Sequence, residues 1–110
     1  MSYKVFTIPP FDKQLKRLVK RYPSLKKEFS ELLESLEEDP AQGSLIGKSC
    51  YKIRLAVASK GKGKSGGARV ITNLMISKTT VFLLSIYDKS EKTTLSDQEL
   101  IYLLKQVPES

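Results

Sequence analysis

The chain has 110 residues, 40% of them hydrophobic, which suffices for the core of one domain and leaves little room for a second. Its net charge of +7 favours acidic partners such as nucleic acid or an acidic protein. It has no histidine and a single cysteine, which excludes an internal disulfide and argues against a zinc site. Without a membrane-spanning apolar run or a signal-peptide pattern, we expect a cytoplasmic protein with no metal and no cofactor.

A short β-like run near the start is followed by two predicted helices. Apolar side chains recur at helical spacing from Phe11 to Tyr22 and from Leu25 to Leu36, and Pro23 and Pro40 end these helices. Solvated helix faces are the ordinary explanation for the charges on both. The alternative is that the first helix follows a polyanion through its basic residues, which include Lys13, Lys16, Arg17 and Lys20.

Residues 41–49 are predicted to form a loop, and three strands are predicted after it. In the first, Ile53 and Leu55 share one face while Lys52 and Arg54 share the other. The second begins at Ala68-Arg69-Val70-Ile71. In the third, alternation predicts Phe82, Leu84 and Ile86 on one face and Val81, Leu83, Ser85 and Tyr87 on the other.

The connection between the first two strands is rich in glycine and lysine and is predicted to be long and flexible. Gly63-Lys64-Ser65 is similar to a nucleotide-binding phosphate loop, but the first glycine of that motif falls on Ala58 and the segment leads into a strand. A nucleotide site is therefore not expected. The connection is either a solvated loop or a nonspecific phosphate contact through Lys60, Lys62 and Lys64.

A final helix is indicated by a capping box between Ser96 and Glu99, followed by apolar residues from Leu100 to Val107. The predicted order is β-α-α-β-β-β-α. This order predicts a single α+β domain over residues 1–110, in which a helical hairpin and a C-terminal helix pack against a largely antiparallel sheet.

With this order of elements, the chain resembles the RelE/ParE superfamily of bacterial toxins. The element order matches over essentially the whole chain, as do Tyr51-Lys52-Ile53-Arg54-Leu55, Gly67-Ala68-Arg69-Val70-Ile71 and Leu84-Ser85-Ile86-Tyr87-Asp88-Lys89. Members of the RelE branch cut messenger RNA, usually on the ribosome, and are neutralised by an antitoxin that wraps the toxin. The resemblance therefore implies a metal-independent endoribonuclease whose partners are an antitoxin, the ribosome and mRNA.

The resemblance also assigns residues. Lys52 and Arg54 match the two basic positions of the family's strand, Arg69 matches the arginine at the head of the next strand, and Lys89 lies near a basic residue after the last strand. In the family these groups bind the scissile phosphate, help to activate the ribose 2′-hydroxyl and stabilise or protonate the leaving oxygen. The family's later tyrosine aligns with Leu95, so the candidates to replace it are Tyr87 and Tyr102.

Cleavage through the 2′-hydroxyl requires a base, a stabiliser of phosphate charge and a proton donor. We expect Arg69 to clamp the phosphate through its planar fork and Arg54 to stabilise charge. Lys52 is the expected base, because neighbouring cations favour an uncharged amine.

Other groups near the predicted site have alternative roles. Lys89 and Lys92 either protonate the leaving group or hold the backbone. Tyr87 either contacts RNA or caps the sheet, and Glu91 is an alternative base. Two other functions remain open for the whole chain: a ParE-like toxin that poisons gyrase, and a noncatalytic module that binds nucleic acid or an acidic protein.

Overall fold

The computed structural model describes residues 2–61, 63–92 and 94–108, apart from the side chains of Lys64 and Ser65. Its strands are β1 (Lys4–Thr7), β2 (Ser44–Gly47), β3 (Cys50–Leu55), β4 (Ala68–Met75) and β5 (Thr80–Asp88). Its helices are α1 (Pro9–Arg21), α2 (Leu25–Glu38), the single turn α3 (Gly63–Gly66) and α4 (Asp97–Leu104). The predicted α+β class is confirmed.

The strands form one sheet in the order β1-β5-β4-β3-β2. The first strand runs parallel to β5, and the other neighbours are antiparallel. The predicted loop at 41–49 is wrong in its centre, because Ser44 pairs with Lys52 and Leu45 with Tyr51. The sheet therefore gains an edge strand that the sequence pattern did not reveal.

The helical hairpin buries the apolar stripes that the spacing predicted. Phe11 and Leu18 of α1 and Leu25 and Leu36 of α2 are each at most 1% exposed. They join one core with the strand residues Ile53, Val70 and Ile86. Burying side chains of this size is worth roughly 1.5–3 kcal/mol each, so the hairpin is held mainly by its apolar face.

Helix α1 also covers part of the edge of β5. The first strand pairs with β5 only as far as Leu83, and α1 contacts the part of that edge beyond it. The side-chain oxygen of Gln14 accepts hydrogen bonds from the Ile86 amide at 3.0 Å and from the Ser85 hydroxyl at 3.1 Å. A side chain of α1 thus satisfies a strand amide beyond the end of β1.

A β-bulge interrupts β5. Ile71 pairs with Ser85 but the next residue, Thr72, pairs with Leu83, so Leu84 is the extra residue. Phe82 and Ile86 consequently lie opposite Asn73 and Val70, which are an odd number of positions apart and face opposite sides. The prediction that Phe82, Leu84 and Ile86 share a face is therefore wrong, and the same shift separates Leu83 from Ser85 and Tyr87.

The predicted capping box of the last helix is confirmed. The Ser96 hydroxyl accepts from the Glu99 amide, and a Glu99 carboxylate oxygen accepts from the Ser96 amide, both at 3.1 Å. Leu100 and Leu103 turn this helix toward the core. Among the described residues, no helix has the length and apolar character needed to cross a membrane.

Candidate active site

Three of the candidate side chains form a straight row across the sheet. Arg54 of β3 lies directly opposite Arg69 of β4, which lies directly opposite Tyr87 of β5. We call Arg54, Arg69 and Tyr87 the cross-strand row. Lys52 lies two residues from Arg54 on the same face, and Lys89 follows β5. The register thus brings together the five residues that the sequence singled out.

Exposure falls steeply along the cross-strand row. Arg54 is exposed and Lys52 is partly exposed, whereas Arg69 is 3% exposed and Tyr87 is 5% exposed. The expectation of an open phosphate clamp at Arg69 is therefore corrected. Its strand lies between β3 and β5, and its guanidinium donates a 3.1 Å hydrogen bond to the Ala68 carbonyl. Of the cations on β3 and β4, the accessible ones are Lys52 and Arg54 of β3.

Tyr87 ends the row below the surface. Its hydroxyl is buried and has no hydrogen-bond partner among the residues that the structure describes. Burial raises the pKa of Tyr87, the nearby Arg69 lowers it and Glu99 raises it further. A buried hydroxyl without a hydrogen bond lowers the stability of the fold by about 1–3 kcal/mol, so the Tyr87 hydroxyl is a polar group that does not contribute to folding. In this closed arrangement its ring cannot stack on a base.

The segment between β5 and α4 supplies the remaining candidates. Lys89 is partly exposed and its amide donates to the Gly67 carbonyl at 3.1 Å. The Lys92 ammonium is paired with the Glu99 carboxylate, whose pKa is lowered by that hydrogen bond and by the Ser96 amide. Tyr102 is 58% exposed on α4 and remains available for stacking.

Glu91, the alternative base, is held by two cations of α1. Its carboxylate lies 3.4 Å from Arg17 and 3.6 Å from Arg21. These ion pairs engage the Glu91 carboxylate and also Arg17, which is one of the predicted RNA contacts of α1. The other three predicted contacts on α1, Lys13, Lys16 and Lys20, are exposed.

The predicted role of Lys60 as a mobile phosphate contact is wrong. Its ammonium pairs with the carboxylate of Asp88, and the two side chains are 5% and 0% exposed. A buried cation with its own counter-ion cannot reach a solvent-side phosphate. Lys62 lies outside the described residues, as does the side chain of Lys64, so their roles stay predictions.

Asp88 and Tyr22, which meet at Lys60, were missed by sequence reasoning. The Tyr22 hydroxyl donates a 2.6 Å hydrogen bond to Asp88, and the Lys60 ammonium lies 5.4 Å from the centre of the Tyr22 ring. The only signal in the sequence was an acid at the end of a hydrophobic strand. In the described part of the chain, no acidic or cysteine side chains are grouped so as to hold a metal ion.

This fold and strand arrangement match known toxins. The family model of the RelE toxin of the RelE/RelB toxin–antitoxin system covers residues 4–108. A free Escherichia coli RelE in which two arginines are replaced by alanine has a TM-score of 0.64 and 19% identity, covering 98% of this chain and all of that one.

Two antitoxin-bound complexes are also similar. The intact Escherichia coli RelBE complex gives a TM-score of 0.51 and 26% identity, covering 79% of this chain and 96% of the matched one. A RelBE complex from Mycobacterium tuberculosis gives 0.55 and 17%, covering 80% and 92%. With the family model spanning nearly the whole chain, this protein belongs to the RelE family, the toxins of RelE/RelB toxin–antitoxin systems.

Proposed function

We propose that this toxin inhibits translation by cutting messenger RNA on the ribosome, as an endoribonuclease that needs no metal. The observation that carries the proposal is the cross-strand pairing of Arg54 with Arg69. Like charges directly opposite each other destabilise a sheet, and Lys52 adds a third cation to the same face. A phosphodiester bound along this face would be attracted by these cations, and its developing charge would be stabilised during cleavage.

Exposure suggests how the roles are divided. Arg54 and Lys52 are the groups that RNA meets first, so Arg54 binds the scissile phosphate and Lys52 accepts the 2′-hydroxyl proton. Arg69 is a buried positive charge beneath them that strengthens the field at the phosphate. Lys89, beside the end of the row, protonates the leaving oxygen. The Tyr87 hydroxyl, which has no partner among the described residues, is the group that would bind ribose if it became accessible.

A cognate antitoxin is the proposed protein partner. RelE is bound to its antitoxin in the Escherichia coli and Mycobacterium tuberculosis complexes that this chain resembles. A surface of net charge +7 suits an acidic segment that folds on binding. We expect such a segment to add a helix or strand to this domain and to obstruct the face carrying Lys52 and Arg54.

The test is induced expression without antitoxin, followed by mapping of RNA ends and a gyrase supercoiling assay. We expect arrested translation, new RNA ends within coding regions and unchanged supercoiling. Arg54→Ala should abolish the new ends in a folded protein, because Arg54 is exposed. Lys27→Ala, which removes an exposed cation from α2, is the matched control and should stay toxic.

The same assay separates the alternatives. Intact RNA with inhibited supercoiling would assign this chain a gyrase target instead. Intact RNA with normal supercoiling would leave a noncatalytic binding module. Adding purified ribosomes to purified toxin and mRNA tests the ribosome requirement, because cleavage of naked RNA at an equal rate would contradict it.

A further inference from the structure

A buried carboxylate joins three distant segments directly behind the candidate active site. Asp88, the last residue of β5, is 1% exposed. One of its oxygens accepts from Tyr22 at the end of α1, and the other accepts from Lys60 and from the amide and hydroxyl of Ser90 at 2.9 and 2.8 Å. The carboxylate thus has donors from the helical hairpin, the β3–β4 connection and its own turn.

The β3–β4 connection is fastened to the helical hairpin a second time at the same turn. The amide and hydroxyl groups of Ser24 and Ser59 exchange two hydrogen bonds of 2.9 Å. The Ala58 amide also donates to the Glu28 carboxylate at 2.7 Å. The turn at Ala58–Lys60 is therefore a fixed point of the fold, although its sequence predicts a flexible loop.

Two segments lead into the candidate site, one from the Ala58–Lys60 turn and one from Asp88. The β3–β4 connection passes through Gly67 to Arg69, and the turn after Asp88 begins with Lys89. These two paths are tied together by the 3.1 Å hydrogen bond from the Lys89 amide to the Gly67 carbonyl. Asp88 is thus one residue from Tyr87 and one from Lys89, yet alternation directs its side chain to the opposite face of the sheet.

We propose that Asp88 is a positioning residue of the toxin: paired with Lys60 and Tyr22, it fixes the joined ends of β4 and β5 and so sets the spacing of Arg69, Tyr87 and Lys89. The inference rests on the proposed RNA cleavage by this face. Burying an ion pair is a poor source of stability compared with apolar packing, and its best-attested use is to specify one arrangement of the chain. Small displacements of groups that act on a reacting phosphate cost large factors in rate.

The experiment compares Asp88→Asn with Asp39→Asn, the same acid-to-amide change at an exposed position on the end of α2. Three quantities are measured for each folded variant: the dissociation constant for ribosomes carrying mRNA, the single-turnover cleavage rate of that mRNA at saturating ribosome concentration, and the exchange rate of the Lys89 amide hydrogen in the free toxin. Asp88→Asn should leave the dissociation constant within about twofold, lower the cleavage rate at least about tenfold and speed Lys89 exchange by a similar factor. Asp39→Asn should change none of them.

Two further variants separate positioning from general damage. Lys60→Met removes the ammonium and should reproduce the Asp88→Asn effects, with the double variant no slower than either single one. Tyr22→Phe removes only one hydroxyl, and it should slow cleavage by about threefold while the fold is retained. This mild variant keeps the test decisive if Asp88→Asn does not fold.

Several outcomes would overturn the inference. They are a folded Asp88→Asn variant that cleaves within twofold of wild type, a loss of RNA affinity at unchanged cleavage rate, and unchanged Lys89 exchange. A Tyr22→Phe variant identical to wild type in both rate and exchange would also do so. If the wild-type toxin cuts no mRNA even on ribosomes, the proposed function fails by itself, and the Lys89 exchange rates still decide whether Asp88 holds the two strand ends together.

Discussion

The Tyr22 hydroxyl donates a 2.6 Å hydrogen bond to Asp88 Oδ2 and so joins the end of α1 to the end of β5. Burial acts to raise the pKa of Asp88, but the hydrogen bonds from Lys60, Tyr22 and Ser90 outweigh it and hold this pKa well below its ordinary value of 3.8. The same bond raises the pKa of Tyr22. The pair therefore makes the fold sensitive to acid.

The first prediction concerns the pH dependence of stability. A folded-state pKa below the unfolded one means that Asp88 stabilises the fold fully above about pH 4 and loses this effect as the pH falls further. The free energy of unfolding of Asp88→Asn should be about 3–5 kcal/mol below wild type at pH 7, because Lys60 keeps a buried charge without its partner. Urea titrations should show this difference shrinking below about pH 4. A difference that stays constant down to the most acid conditions would contradict it.

The second prediction concerns Gly67, which precedes the strand that carries Arg69. A Cβ built at this glycine would overlap the carbonyl oxygen of Leu55. Gly67→Ala should therefore force β3 away from this junction and cost about 1–3 kcal/mol of unfolding free energy. It should also slow RNA cleavage, since the facing pair of Arg54 and Arg69 begins one residue from Leu55 and two residues from Gly67.

Gly47→Ala is the matched control for this change. Gly47 has a φ of +99° but its Cβ would meet open space, so alanine there is strained without a collision. Gly47→Ala should lower the free energy of unfolding but leave the cleavage rate of the folded protein unchanged. Equal loss of cleavage by both variants would show that the contact with Leu55 is not what matters at Gly67.

Local patterns in the sequence predicted the order of most elements. Helical spacing predicted α1 and α2, and the Ser96 and Glu99 pair predicted the start of α4. These features depend on residues three or four apart, so periodicity and capping reveal them. The neighbouring positions of β3, β4 and β5 were expected from their consecutive order along the chain, although the β3–β4 connection is long, which is why the cationic face could be anticipated before its register was known.

What the sequence did not predict depends on contacts between distant residues. The 66-residue separation of Tyr22 and Asp88 leaves no periodic trace, so nothing indicated that Lys60 would be buried. The bulge at Leu84 was hidden because every residue of β5 is buried, which removes the contrast between faces. The burial of Arg69 was not predicted for a related reason. Alternation gives the face on which a side chain lies but not what covers that face.

The third prediction separates exposed from buried cations in RNA binding. Lys16 is exposed on α1, whereas the Lys60 ammonium is buried against Asp88. If Lys16 contacts a phosphate, Lys16→Gln should reduce the log–log salt slope of the RNA dissociation constant by about 0.7–1. Lys60→Met should leave that slope unchanged. A slope unchanged by Lys16→Gln would assign the basic side of α1 to solvation, and a reduced slope in Lys60→Met would mean that this lysine leaves its buried pair when RNA binds.

The last prediction concerns the base. Lys52 is partly exposed on the face that carries Arg54, whereas the rival acid Glu91 is paired with Arg17 and the rival hydroxyl of Tyr87 is buried. Lys52→Arg keeps the positive charge but cannot give up its proton near neutral pH. Its RNA affinity should stay near wild type while the single-turnover cleavage rate falls by about 10²–10⁴.

The shape of the pH profile distinguishes loss of a base from loss of a well-placed charge. If the Lys52 amine takes the proton of the 2′-hydroxyl, the wild-type rate should rise from neutral to alkaline pH, and the residual rate of Lys52→Arg should lose this rise. Arg54→Lys is the control: it should lower the rate through weaker phosphate binding, since a single ammonium replaces a planar fork, yet keep the rise. Full activity in Lys52→Arg would reduce Lys52 to an electrostatic group. The base would then have to be Glu91 freed from Arg17, or a Tyr87 hydroxyl made accessible to RNA.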